Sequence, residues 1–148
     1  MYSTILWATD ASPEADTALH AALELLSEEG TLVAFHCDQR FVGSHVAGMP
    51  VLPDETDRRR HIEEQVADVE RRGIAVREVI ETTVTDPAHA IARSADELGV
   101  DAIVCGTRSL HGLPAVLDGS VAARVLKHAT VPVVVVPARV AARQQAPV

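Results

Sequence analysis

The residues best suited to bind a charged ligand follow two short apolar runs of the chain. Asp10 comes after the run at residues 5–8, ILWA, and Gly106 comes directly after the run at residues 102–105, AIVC. Gly119 and Ser120 close the second segment, just before an amphipathic stretch. Glycine lets a main chain approach an anion, and the first N–H groups of a helix are unpaired donors at the positive end of its dipole. The segment from Gly106 to Ser120 therefore has the residue types of a phosphate-binding loop.

A simpler interpretation of the same residues is also open. Gly106 and Gly119 can do no more than permit two turns, and Ser120 can serve only as a helix cap. Asp10, with the Ser12-Pro13 pair that follows, can likewise shape the turn into the first helix. The chain holds no GxGxxG, GxxxxGK[ST] or GxSxG motif. Its glycines alone therefore do not decide between the two interpretations.

The elements that must position these residues alternate between short β-branched runs and amphipathic helices. That alternation predicts an α/β fold, a doubly wound, largely parallel sheet of five strands with four helices. The predicted strands lie at residues 5–8, 31–37, 75–82, 102–105 and 131–136, and residues 38–54 are predicted to form a loop. The predicted helices begin at Ser12-Pro13, Thr56, Asp86-Pro87 and Gly119-Ser120, and glycines 30 and 73 are predicted to end the first two.

The composition narrows the classes of protein to which the chain can belong. Its 148 residues suffice for one domain, predicted at residues 1–138, followed by a C-terminal tail at 139–148. The net charge of −8 repels nucleic acid, and the basic run Arg58 to Arg60 is followed by Glu63 and Glu64, which is typical of a solvated helix start. No apolar run reaches the roughly 20 residues of a membrane span, and residues 1–9 lack a basic n-region. We therefore expect a cytoplasmic protein with no membrane or nucleic-acid partner.

The residue spacing does not support two other kinds of chemistry. The seven histidines form no HxH or HExxH pair, so the sequence predicts no metal site. Ser109 and His111 are close in sequence but have no orienting acid and no nucleophile elbow, which argues against hydrolase chemistry. A binding protein is therefore favoured over a fast enzyme.

The order of the elements and the Gly106 segment together resemble the universal stress protein family. The family's nucleotide motif has a first glycine, a second glycine soon after it, and a Gly-Ser or Gly-Thr pair further on. Gly106 matches the first glycine, Ser109 stands in the place of the second, and Gly119-Ser120 match the final pair. Residues 6–10, LWATD, and the segments 101–104 and 131–136 also resemble family segments, so the resemblance spans about residues 2 to 137.

The resemblance implies a binding site for ATP or another adenine nucleotide, with or without Mg²⁺. Asp10 and the main chain of Cys37 would flank the adenine and the ribose. The phosphates would be held by the motif residues Gly106, Ser109, Gly119 and Ser120.

Two residues of the loop have a less direct relation to this implied site. Arg108 is a candidate for neutralising the phosphate oxygens, with a solvated loop arginine as the alternative. Ser109 replaces a glycine, and if its position needs a left-handed backbone in the bound state, the cost is about 1 to 2 kcal/mol, or roughly five- to thirtyfold in affinity.

The family's architecture has further implications for this chain. It implies the strand order 3-2-1-4-5 of the adenine nucleotide alpha hydrolase-like fold, and a homodimer formed through residues 131–136. Strand one would then separate Cys37 from Cys105 by more than a disulfide can span, so we predict two free thiols.

Three functions follow in order of support. The first is an adenine-nucleotide-binding stress-response regulator that switches the binding of an unidentified protein partner. The second is a nucleotide-free dimeric interaction protein of the same fold. The third is slow ATP hydrolysis.

Overall fold

The structure, a computed structural model, describes residues 1–39, 55–83, 85–107 and 120–137. Within these ranges strands and helices alternate along the chain, which confirms the predicted five strands and four helices. The elements are β1 (Tyr2–Thr9), α1 (Pro13–Leu25), β2 (Leu26–Gln39), α2 (Glu55–Arg71), β3 (Ala75–Thr83), α3 (Pro87–Leu98), β4 (Ala102–Thr107), α4 (Val121–His128) and β5 (Val133–Pro137).

The strands form one parallel sheet in the order β3-β2-β1-β4-β5, so the predicted order is confirmed. β1 lies at the centre, where Trp7 is level with Ala34 of β2 and with Val104 of β4. From β1 the chain winds outward through β2 to β3, and it then returns to the other side of β1 to form β4 and β5. The winding direction therefore reverses between β1 and β4.

Helices cover both faces of the sheet and produce two apolar cores. On one face, Ile5 and Trp7 of β1 pack in a cluster with residues of α1 and α2. On the other face, Leu6 of β1 and Phe35 of β2 pack with residues of α3 and α4. Neighbouring strand residues point to opposite faces, and burial on both faces explains why residues 5–8, 32–35 and 102–105 are apolar without interruption. None of the helices in the described ranges is long and apolar enough to span a membrane.

Three of the helices begin at the side-chain caps that the sequence predicts. The Oγ atom of Ser12 accepts a hydrogen bond from Ala15 N at 3.2 Å, and the Oγ atom of Ser120 accepts one from Ala123 N at 3.1 Å. Asp86 Oδ1 accepts from Ala88 N at 3.0 Å. Each cap satisfies a backbone donor that the helix itself leaves unpaired.

The prediction that Gly30 ends the first helix is wrong. α1 ends at Leu25, and the extended backbone of Leu26 already belongs to β2. Gly30 lies within β2 and does not have a left-handed backbone. A Cβ atom there would lie 2.6 Å from Leu26 Cγ, so this glycine makes room for a side chain. Gly73 does follow α2 with a left-handed φ of 83°, as predicted.

The two edge strands differ in the chemistry of their side chains. β3 carries charged residues such as Arg77 and Glu78, and none of its described side chains is buried. β5 is a run of valines, of which Val133 to Val135 are half-buried and Val136 is buried. Charges on an edge strand oppose pairing with another chain, whereas an uncovered apolar edge favours it.

Candidate functional site

A pocket of about 270 Å³ opens at the carboxyl ends of β1, β2 and β4. It lies where the winding direction of the sheet reverses, which is the usual place for a ligand in a doubly wound fold. One part of its wall is apolar and includes Ala8, Phe35 and Ile91. The polar part is formed by Thr9, Asp10, Ser12, Glu14 and Arg58.

The fold brings several of the predicted site residues together at this pocket. Asp10, Cys37 and Gly106 all line it, although they come from three different strand ends. Ser120 caps α4, whose first residue Val121 also lines the pocket. The predicted roles of Arg108, Ser109 and Gly119 stay predictions, because these three residues lie outside the described ranges.

Asp10 shapes the turn from β1 into α1, which confirms its structural role. Its Oδ1 atom accepts a hydrogen bond from Ser12 N at 2.9 Å, and Thr9 Oγ1 accepts one from Ala11 N at 3.1 Å. Ala11, between them, has a φ of 65°. A left-handed backbone at alanine costs roughly 1–2 kcal/mol, and such strain is concentrated at functional sites. The sequence carries no signal for this strained residue.

Gly106 has a packing role that the sequence does not reveal. It lies inside β4 without a left-handed backbone, so the expectation that a loop begins at Gly106 is wrong. A Cβ atom at this position would lie 2.6 Å from the carbonyl carbon of Glu14 and 3.1 Å from Ala15 N. The absent side chain therefore lets the first turn of α1 lie directly against β4, beside the pocket.

Trp7 of β1 holds the same first turn of α1 through a side-chain hydrogen bond. Its indole Nε1 donates a hydrogen bond to the carbonyl oxygen of Ala15 at 2.8 Å, and its side chain is fully buried. An indole N–H that is buried usually finds such an acceptor. Trp7 and Gly106 together determine where α1 begins relative to the strand ends.

Cys37 and Cys105 are free thiols that line the pocket, as predicted. Burial raises the pKa of Cys37 to about 11, assisted by the charges of Asp38 and Glu55 and opposed by Arg93. Burial alone raises the pKa of Cys105 to about 11. Both side chains are therefore neutral at physiological pH and are poor nucleophiles.

Arg58 is a pocket residue that the sequence interpretation missed. The run Arg58 to Arg60 was expected to be solvated, and this holds for the exposed Arg60 but not for the half-buried Arg58. Arg58 lies in the first turn of α2, and helices that follow parallel strands begin at the edge where ligands bind. The position of Arg58 at the start of a helix is therefore the sequence signal that could have identified it as a pocket residue.

Three helix starts contribute to the electrostatics of the pocket. Ser12 before α1, Pro87 at the start of α3 and Val121 at the start of α4 all line it. Each helix start carries the equivalent of about half a positive charge. The backbone thus favours an anion in this pocket. No group of three or more potential metal ligands occurs among the residues that the structure describes.

Comparisons with known proteins agree with this geometry. Universal stress protein YxiE of Bacillus subtilis is 29% identical over an alignment 152 positions long, which covers 92% of this chain and 99% of YxiE. A crystal structure from the universal stress protein family of Burkholderia pseudomallei is 30% identical, with a TM-score of 0.66, and the match covers 93% of this chain and 97% of that one.

A further solved structure resembles the chain in fold and contains a ligand. It is a universal stress protein family protein from Arabidopsis thaliana with AMP bound, 19% identical, with a TM-score of 0.61 and 91% of each chain covered. The sequence pattern of the universal stress protein family itself matches residues 1–137. The chain therefore belongs to the universal stress protein family.

Proposed function

We propose that the chain binds an adenine nucleotide in the pocket at the ends of β1, β2 and β4, and acts as a nucleotide-controlled stress-response protein. The observation that carries the proposal is the convergence of Asp10, Cys37 and Gly106 on one pocket at which three helices begin. The AMP bound to the Arabidopsis protein of the same fold supports the choice of ligand.

The two parts of the pocket wall suit the two ends of such a ligand. In the proposed complex the base lies against the apolar wall near Phe35 and Ile91, and Asp10 accepts hydrogen bonds from the ribose. The phosphates extend from the ribose toward the start of α4, next to Ser120. The pocket volume of about 270 Å³ is close to the lower end of the roughly 300–1,000 Å³ range of small-molecule sites.

Isothermal titration with MgATP, AMP and cyclic AMP tests this function directly. The expected result is saturable binding of at least one of the three at millimolar concentration or below. Ala8→Leu should abolish it, because Ala8 lines the pocket and a larger side chain there fills the space for the base.

Two variants serve as controls for that experiment. Asp10→Asn keeps the Oδ1 acceptor for Ser12 N and should preserve the turn while weakening ligand binding. Asp57→Asn changes an exposed carboxylate of α2 and should bind as the wild type does. The absence of heat with all three ligands would contradict the proposal.

A second candidate function is a dimeric interaction protein that needs no nucleotide. The half-buried valines of β5 favour it, because β5 is an apolar edge strand of the sheet in the described part of the chain. Adenine nucleotide that remained bound to the purified protein, detected by absorbance and chromatography, would count against this candidate.

A further inference from the structure

Arg58 is the one positively charged side chain among the described residues that line the pocket. Two acidic residues, Asp10 and Glu14, also line the pocket. Two carboxylates repel a phosphate at close range unless a cation lies nearby. The charge of Arg58 therefore offsets this repulsion and adds to the attraction of the three helix starts for an anion.

Arg58 differs from its neighbours in the way its charge is compensated. The guanidinium of Arg59 lies 3.4 Å from a carboxylate oxygen of Asp38 and 3.4 Å from one of Glu55. The guanidinium of Arg60 lies 3.4 Å from a carboxylate oxygen of Asp57. Arg58 forms no such pair with any residue in the described part of the chain. No residue in the described ranges supplies a counterion for the Arg58 guanidinium, so an anion brought by a ligand would complete this site.

A buried histidine fixes the start of α2 beside the pocket. His36 is 1% exposed, and its Nδ1 atom lies 2.8 Å from the carbonyl oxygen of Thr9. Its Nε2 atom lies 2.6 Å from Glu55 Oε1. Glu55 and Arg58 are three residues apart on α2 and share one side of the helix. The histidine contact thus holds Arg58 near the ends of β1 and β2.

We propose that Arg58 binds the phosphate attached to the ribose of the nucleotide and so selects phosphorylated adenine nucleotides over adenosine. This inference rests on the proposed function and adds a residue of α2 to the site. The planar guanidinium can donate two parallel hydrogen bonds to phosphate oxygens. Adenosine offers no such anion, so its affinity does not depend on Arg58.

Titration of AMP and of adenosine into matched variants tests the inference. Arg58→Gln should bind AMP about ten- to a hundredfold more weakly, the range expected for charged hydrogen bonds, and adenosine unchanged. Arg58→Lys should bind AMP with intermediate affinity, because a lysine retains the charge but cannot donate two parallel hydrogen bonds as the guanidinium does. Arg60→Gln removes an exposed arginine of the same helix and should match the wild type with both ligands.

Several results would overturn the inference. If Arg58→Gln binds AMP as the wild type does, the inference is wrong while the proposed function stands. An equal loss of affinity for AMP and for adenosine in Arg58→Gln would place Arg58 at the base or the sugar instead. A lower melting temperature for free Arg58→Gln than for free Arg60→Gln would assign Arg58 a structural role. Wild-type protein that binds neither ligand would contradict both the inference and the proposed function.

Discussion

Gly106 is a residue of β4 against which the first turn of α1 packs directly. The backbone of Glu14 and Ala15 occupies the space that a side chain would need. Main-chain atoms cannot rotate away as a flexible side chain can, so even one added methyl group forces α1 to move. Gly106 is thus required for packing, whatever ligand binds nearby.

Gly106→Ala should therefore lower the free energy of unfolding in the absence of ligand, by about 1–3 kcal/mol. Urea denaturation followed by circular dichroism measures this change. Gly73→Asn is a suitable control, because its left-handed position is surrounded by open space and asparagine tolerates that backbone. Wild-type stability of Gly106→Ala would contradict the packing argument.

The two pocket thiols give a second prediction at the scale of single residues. Their pKa is raised from 9.0 to about 11 in the folded protein. Alkylation by iodoacetamide should be slow at neutral pH and should accelerate as the pH rises toward 11, because only the thiolate reacts. AMP should slow the labelling of Cys37, and the variants Cys37→Ser and Cys105→Ser assign the signal to each thiol.

The same shift predicts how stability depends on pH. A thiol that ionises near 9.0 when unfolded and near 11 when folded favours folding fully below pH 9. This contribution is lost as the pH rises from 9 through 11, because the unfolded chain releases the proton first. Cys105→Ser should show a smaller loss over that range. Rapid alkylation of both thiols at pH 7 in the folded protein would contradict the raised pKa on which both thiol predictions rest.

Asp86 links the starts of the two helices α3 and α4. It caps α3 and forms a salt bridge with Arg124 Nε of α4 at 3.0 Å. Burial, the largest single influence, acts to raise the pKa of Asp86. The hydrogen bonds from Ala88 N and Arg124, with the charges of Arg124 and His89, together outweigh burial and lower this pKa below 3.8.

Asp86→Ala should reduce the free energy of unfolding by about 1–2 kcal/mol, the usual cost of a lost N-cap. Asp86→Ser is the matched control, since it keeps the cap and removes only the ion pair. The contribution of the charge should be present above the unfolded pKa of about 3.9 and should disappear as the pH falls through the folded value. Urea midpoints of the three proteins at pH 6 and pH 3 test both statements, and equal midpoints for all three would contradict them.

The helix caps were predictable from sequence because they are local. Ser12, Asp86 and Ser120 each sit directly before a helix, where one side chain meets its own backbone. Gly106 and Arg58 were misinterpreted because their roles depend on elements distant in sequence. The space at Gly106 is filled by α1, and the position of Arg58 depends on the contact between Glu55 and His36.

At the scale of the whole molecule, the edge strand β5 predicts the oligomeric state. We expect a dimer formed by pairing of β5 with its counterpart in a second copy. Val135→Lys should shift the protein toward monomer in sedimentation velocity, because a charge replaces a half-buried valine at the edge. Ile80→Lys, at an exposed position of the opposite edge strand β3, should leave the mass unchanged. A monomeric wild type, or an unaffected Val135→Lys, would contradict the prediction.

The unequal edges of the sheet also limit how far self-association can proceed. Pairing through β5 consumes the apolar edge of both copies and leaves only the charged strand β3 facing outward at each end. A symmetric contact of this kind closes on itself, whereas an open-ended polymer needs two complementary edges on each subunit. We therefore expect closed dimers, not fibrils, when the protein is concentrated.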